Sequence, residues 1–185
     1  MRHGIRLLGD PLLRLESAEV EDLASPGHRD DVAALKEALD DFRAERGFGR
    51  GIAAPQIGIS RKIVALNLGS GTFVIINPKI TRYGDAKFTM WDDCMSFPDL
   101  LVRLERSASV DVEFLDEGGR KVEWKDLGRA ESELLQHEID HLHGILAVDR
   151  ALDRDSIVYR SLYAERREYF ESLADYRIEP TIRRT

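Results

Sequence analysis

From about residue 52 to residue 124 the chain runs through short β-branched and aromatic stretches punctuated by Gly and Pro, and helical periodicity stands on both sides of that block. This order constrains the fold more than any other feature. Strands that follow one another without helices between them pair as hairpins, whereas a doubly wound parallel sheet needs a helical crossover between partners. Residues 62–66 and 72–76 read as strands. Val110, Val112 and Phe114 alternate with Asp111 and Glu113, and Glu117-Gly118-Gly119 leads into Val122 and Trp124, which predicts a hairpin with one dry face. Before the block, Val32, Leu35, Leu39 and Phe42 recur at helical spacing, Asp30 and Asp31 suit the positive end, and Gly47 stops the chain. After it, one helix is expected over about 129–143, closed by Gly144, and a second over about 156–174 with Tyr159, Leu162, Tyr163, Phe170 and Leu173 on its apolar side. The expectation is an α+β fold with mixed or antiparallel sheets, in one domain spanning residues 1–185.

Composition narrows the function classes. Apolar residues at 43% and charged residues at 33% describe a globular chain, and no apolar run approaches the roughly 20 residues of a membrane helix. Arg6, Asp10 and Arg14 interrupt the opening stretch, so no signal-peptide core can be drawn there and a cytoplasmic address is expected. A net charge of -7 weighs against nucleic acid as a direct partner. Cys94 is the only cysteine, which excludes an internal disulfide and leaves a small buried residue, a nucleophile or a metal ligand.

Within the predicted 129–143 helix stands His137-Glu138-Ile139-Asp140-His141. Residues four apart lie about 40° apart around a helix and about 6 Å along it, so the two imidazoles share a face and can bind one cation. Glu138 is turned by about 100° from His137 and comes to lie beside that cation, where a carboxylate can take a proton from water. Leu134, Leu135, Ile139 and Leu142 supply the helix with apolar residues for burial. A catalytic site of this type needs a third protein ligand and an open position. The position six residues beyond His141, where one class of such helices carries a third His, is Ala147. Glu165 or Glu168 would serve in another class, and Cys94 is the remaining candidate. His143 points away from the pair and reads as a helix-end residue, while His3 and His28 receive no role.

Three strings in order resemble the peptide deformylase family: Gly49-Arg50-Gly51-Ile52-Ala53-Ala54-Pro55-Gln56, Asp92-Asp93-Cys94-Met95-Ser96, and Gln136-His137-Glu138-Ile139-Asp140-His141-Leu142. The resemblance runs through most of the chain and includes the opening Gly9-Asp10-Pro11-Leu12-Leu13-Arg14. It implies a central metal-binding helix among surrounding sheets, with an N-terminal and a C-terminal helix. It also implies one divalent ion, ferrous in many members, with zinc, nickel or cobalt able to replace it. Cys94, His137 and His141 would be its ligands and Glu138 the general acid and base. Gln56 through its side chain and Met95 through its backbone N–H would hold the oxygen of a formyl group. The implied substrate is a formylated peptide or small formylated compound, with the ribosome or nascent chain as an implied partner. Formate and a free amino terminus would be the products. The alternatives are another metallopeptidase of this helix type, or a catalytically silent relative that binds a partner such as the ribosome.

Gly49 and Gly51 allow either positive φ or a close approach of backbone to a ligand. The second string departs from the family at Asp92, Asp93 and Met95. Asp92 is one methylene shorter than the usual Glu, so pairing with Arg106 would need the backbone to shift, and Asp93 sets a carboxylate beside the cysteine. Arg50 and Glu133 occupy places near the substrate pocket that are commonly apolar. Two accounts cover them: either Arg50 pairs with Asp93 while Glu133 faces solvent, or the pocket takes a formylated compound with a polar or basic side chain.

Overall fold

The computed structural model describes residues 4–178; His3 lies outside them. Helix α1 (Pro26–Arg46) begins earlier than Asp30, because Ser25 caps it by accepting from the His28 N–H and Pro26 fits the first turn. Gly47, at φ 74°, ends it in the left-handed region.

Strands β1 (Gly51–Ala53), β2 (Ile63–Asn67), β3 (Thr72–Tyr83), β6 (Val110–Leu115) and β7 (Lys121–Trp124) form one sheet in the order β1-β2-β3-β6-β7, antiparallel throughout. Strand β2 is buried on both faces, and its side chains sort by the two-residue period of a strand. Ile63 and Ala65 join Leu35 and Leu39 of α1, while Val64 and Leu66 face Leu135, Ile139 and Leu142 on the other side. The predicted hairpin is β6–β7, with Val110, Val112 and Phe114 buried.

Strands β4 (Lys87–Asp92), β5 (Leu100–Ser107) and β8 (Ile157–Tyr159) make a second antiparallel sheet in the order β4-β5-β8. Helix α2 (Arg129–Leu142) packs against both sheets, and every residue from Ser132 to Leu142 is buried. The expected central helix among antiparallel sheets is what the chain forms. The segment expected as one helix over 156–174 is instead β8 followed by α3 (Arg160–Glu165) and α4 (Arg167–Glu171). Ile157, Val158 and Tyr159 pair with Leu100–Val102, a long-range choice that overrides local helical spacing, and Arg166 breaks the helix at φ -117°, ψ 40°.

Candidate metal centre

A helix buried on every side must satisfy its polar residues internally, since an unpaired polar group in such a place costs about 1–3 kcal/mol. Gln136 does this by pinning β5: its Nε2 donates to the Ser107 carbonyl at 3.0 Å and its Oε1 accepts from the Ser107 N–H at 3.1 Å. Ser132 Oγ donates to the same carbonyl at 2.7 Å. These bonds fix the rotation of α2 and therefore the direction of its histidine face.

That face meets Cys94, which sits on the loop after β4. Cys94 Sγ is 3.2 Å from His141 Nε2, and His141 Nε2 is 3.2 Å from His137 Nε2. All three donor atoms lie within 4.8 Å of one another, and all three residues are buried. Nitrogen ligands about 2.0–2.1 Å from a tetrahedral ion stand about 3.3 Å apart, and a thiolate bonded at about 2.3 Å stands about 3.5 Å from either. The spacing therefore fits one divalent ion. The structure does not bring Glu165 or Glu168 to this group; both are exposed on α3 and α4. His143 is largely exposed beside Glu16, as its helix-end placement predicts.

Asp92 orients the first histidine. Its Oδ2 lies 2.9 Å from His137 Nδ1 and 3.2 Å from an Arg106 nitrogen. The pairing with Arg106 is thus made despite the shorter side chain. Arg106 continues to Asp140, which also receives Arg150, so a buried chain of charges runs from the surface to the ligand. Burial works against the Asp92 carboxylate, but His137 and Arg106 outweigh it and hold its pKa at about 2. An ionised Asp92 keeps the proton on His137 Nδ1 and leaves Nε2 to face the other donors. Burial opposes charge on His137, yet Asp92 and Cys94 raise its pKa well above the ordinary value. Burial and the neighbouring His137 push His141 well below it.

Glu138 is buried, and its Oε2 has no partner among the described protein atoms. Burial pushes its pKa up to about 7, with Asp92 adding to the rise and His137 opposing it. A carboxyl group poised there exchanges protons near neutrality. Gly51 makes room for it: a Cβ at that position would sit 2.7 Å from Glu138 Oε1. The close approach at Gly51 is therefore to a side chain of the site. Gly49 does adopt positive φ, at 122°, and a Cβ there would lie 3.2 Å from Met95 Cε.

Gln56 is the third residue of the 3-10 turn Ala54–Ile57 that follows β1. Its Oε1 accepts from the Ala53 N–H at 2.9 Å, which turns its Nε2 toward Cys94 Sγ at 3.5 Å and Ser96 Oγ at 3.2 Å. The N-terminal segment, to which sequence reasoning gave no part in the site, ties these loops together. The Arg6 N–H donates to the Gln56 carbonyl at 2.7 Å, and the Leu8 N–H to the Ser96 carbonyl at 2.8 Å. The account that paired Arg50 with Asp93 and exposed Glu133 is overturned. Arg50 bonds Glu133, whose side chain is 1% exposed, and Asp93 pairs with Arg160 at 2.9 Å. Arg50 prefers Glu133 because both are withdrawn from water at the start of α2, where its second nitrogen also donates to the Ala130 carbonyl at 2.9 Å.

Known proteins are similar to this chain over most of its length. The sequence profile of the polypeptide deformylase family matches residues 3–156. A peptide deformylase of Thermotoga maritima is 33% identical over 146 residues, covering 79% of this chain and 85% of the relative. One of Mesorhizobium japonicum is 35% identical over 161 residues, 82% of this chain and 86% of the relative. The crystal structure of Thermotoga maritima peptide deformylase superposes with a TM-score of 0.74 at 31% identity, over 83% of this chain and 99% of that one. That of Legionella pneumophila peptide deformylase gives 0.75 at 28% identity, over 94% and 97% of the two chains.

Proposed function

This chain belongs to the peptide deformylase family, and from that premise we propose how its own residues remove the N-formyl group from a peptide. The family assignment makes it a metal-dependent hydrolase of the formyl amide bond. In the reading proposed here Cys94, His137 and His141 hold a single divalent ion, with ferrous iron as the native metal. When bound, such an ion polarises a carbonyl and makes water acidic near neutral pH.

The remaining chemistry belongs to side chains around it. Glu138, with a pKa near 7, accepts the proton of the attacking water and returns it to the departing amine. Charge that develops on the formyl oxygen meets the Gln56 carboxamide N–H, already aimed at the sulfur, and the backbone N–H of Met95. A fixed donor of this kind is worth about 3 kcal/mol in the transition state. Asp92 holds His137 in one tautomer throughout. Burial of the site excludes bulk water and strengthens these interactions. The whole chain acts as one domain on formylated nascent chains in the cytoplasm.

The observation that carries this reading is the convergence of one sulfur and two imidazole nitrogens within 4.8 Å, beside a buried carboxyl oxygen without a partner. The test is anaerobic purification, metal analysis and a formate-release assay on a panel of N-formyl tripeptides. One metal per chain and formate release abolished by Glu138→Ala are expected. Metal-loaded protein that releases no formate from any of them would overturn it.

A further inference from the structure

The charges packed around the triad fall into two sets. One is the chain from Arg150 through Asp140, Arg106 and Asp92, which ends on His137. The other is Arg50 with Glu133, and it ends on no ligand. Its side chains are 10% and 1% exposed, and burial pushes the Glu133 pKa up to about 7 against the pull of Arg50, so this pair is held out of water beside the catalytic groups at a cost. Glu133 stands one helical turn before His137, on the same stripe of α2. Arg50 lies between Gly49, which packs toward Met95, and Gly51, which packs toward Glu138. Arg50 is also among the charges that bear on Glu138, and His137 among those that bear on Glu133. A substrate carbonyl placed between Glu138 and Met95 would thus lie along the segment that carries Arg50 and beside the helix stripe that carries Glu133.

We infer that the Arg50–Glu133 pair is the selectivity wall of the site, and that the chain prefers an N-formyl residue whose side chain is neutral and hydrogen-bonding, a carboxamide, over methionine. The inference rests on the deformylase reading and names its substrate class. A thioether is a weak acceptor with no donor, so pressing it on a buried ion pair removes remaining hydration and returns nothing. A carboxamide does both jobs, accepting from guanidinium N–H groups beyond the two bonds Arg50 makes and donating to the Glu133 carboxylate. A cationic side chain would bond Glu133 but be repelled by Arg50, and an anionic one would bond Arg50 but be repelled by Glu133, so each gains from one partner what it loses to the other.

The test uses the metal-loaded full chain and N-formyl-X-Ala-Ser, with X as Gln, Met, Lys or Glu, read as kcat/KM for formate release. A site built to bond a polar group rejects an analogue lacking it by well over tenfold, so Gln is expected to exceed Met by at least about tenfold, with Lys and Glu below Gln. The double substitution Arg50→Ile with Glu133→Ile exchanges the buried pair for apolar volume, a change that proteins commonly tolerate, and should bring Met level with Gln or above it. Met equal to or faster than Gln in the natural chain overturns the selectivity inference alone, whether or not the double variant folds. No hydrolysis of any member overturns the deformylase reading and this inference with it.

Discussion

Gly51→Ala isolates the geometry of Glu138 from every other property of the site. Gly51 is not among the glycines at positive φ, so alanine meets no backbone strain there. Its Cβ would instead stand 2.7 Å from Glu138 Oε1 and 3.0 Å from Cδ and Cγ, where ordinary contact begins at 3.4 Å. The carboxylate must retreat by about 0.7 Å, and it does so inside a packed interior. A misplacement of about 1 Å costs about a hundredfold in rate, so about 0.7 Å corresponds to roughly 25-fold, or about 2 kcal/mol of transition-state stabilisation. Stability should fall by about 1–3 kcal/mol from overpacking, and the metal ligands keep their places. The assay is kcat for formate release beside metal content and thermal unfolding, with Gly27→Ala as the control, since a Cβ at Gly27 meets nothing within 4 Å. A Gly51→Ala enzyme with full metal content and a kcat within about twofold of the natural chain would refute the claim that Glu138 works from this position.

Three further outcomes are expected. Cys94→Ala should lose stoichiometric metal, measured by elemental analysis after dialysis, while an enzyme that used Glu165 or Glu168 would keep it. Asp92→Asn leaves an acceptor for His137 but removes its charge, so metal affinity should fall by about 10–100-fold in a chelator competition; unchanged affinity would show that the carboxylate does not tune the ligand. For the pH profile, burial lifts the Glu138 pKa to about 7, and a bound cation would favour the carboxylate. Since the base acts deprotonated, kcat/KM should rise with pH along a limb centred below about 7, and a rate that instead falls with pH across that range would exclude Glu138 as the base.

Much of the site was legible in the sequence because its information is periodic. His137 and His141 share a helix face by spacing alone, and the alternation of Val110, Val112 and Phe114 gave the hairpin its dry side. What could not be read are pairings across long stretches of chain. Ile157–Tyr159 becomes a strand only because Leu100–Val102 offers an open edge, and no local pattern announces this. Arg50 had two carboxylates within reach of plausible argument, and only the folded distance chose Glu133 over Asp93. The bonds from Arg6 and Leu8 to the two loops are made by backbone N–H groups, which leave no residue-type signature.

The depth of α2 explains why so many charges surround so small a centre. A helix packed between two sheets gains apolar burial from Leu134, Leu135, Ile139 and Leu142, each such side chain contributing about 1.5–3 kcal/mol. The same placement buries Glu133, His137, Glu138, Asp140 and His141, none of which water can then solvate. Glu133 has Arg50, His137 has Asp92, Asp140 has Arg106 with Arg150, and His141 Nε2 has Cys94 and the facing imidazole, while His141 Nδ1 has no partner among the described protein atoms. Glu138 Oε2 alone among the carboxylate oxygens of the described residues stays buried and unpaired, and that unmet demand is what a reacting substrate and its water would satisfy. Arg106→Met probes the logic directly. It leaves Asp92 with His137 as its remaining partner and Asp140 with Arg150 alone, so unfolding free energy should drop by about 3–5 kcal/mol, far beyond the loss of the few methylenes involved. A change below about 1 kcal/mol in chemical denaturation would mean that the ion chain is not what lets these charges stay buried.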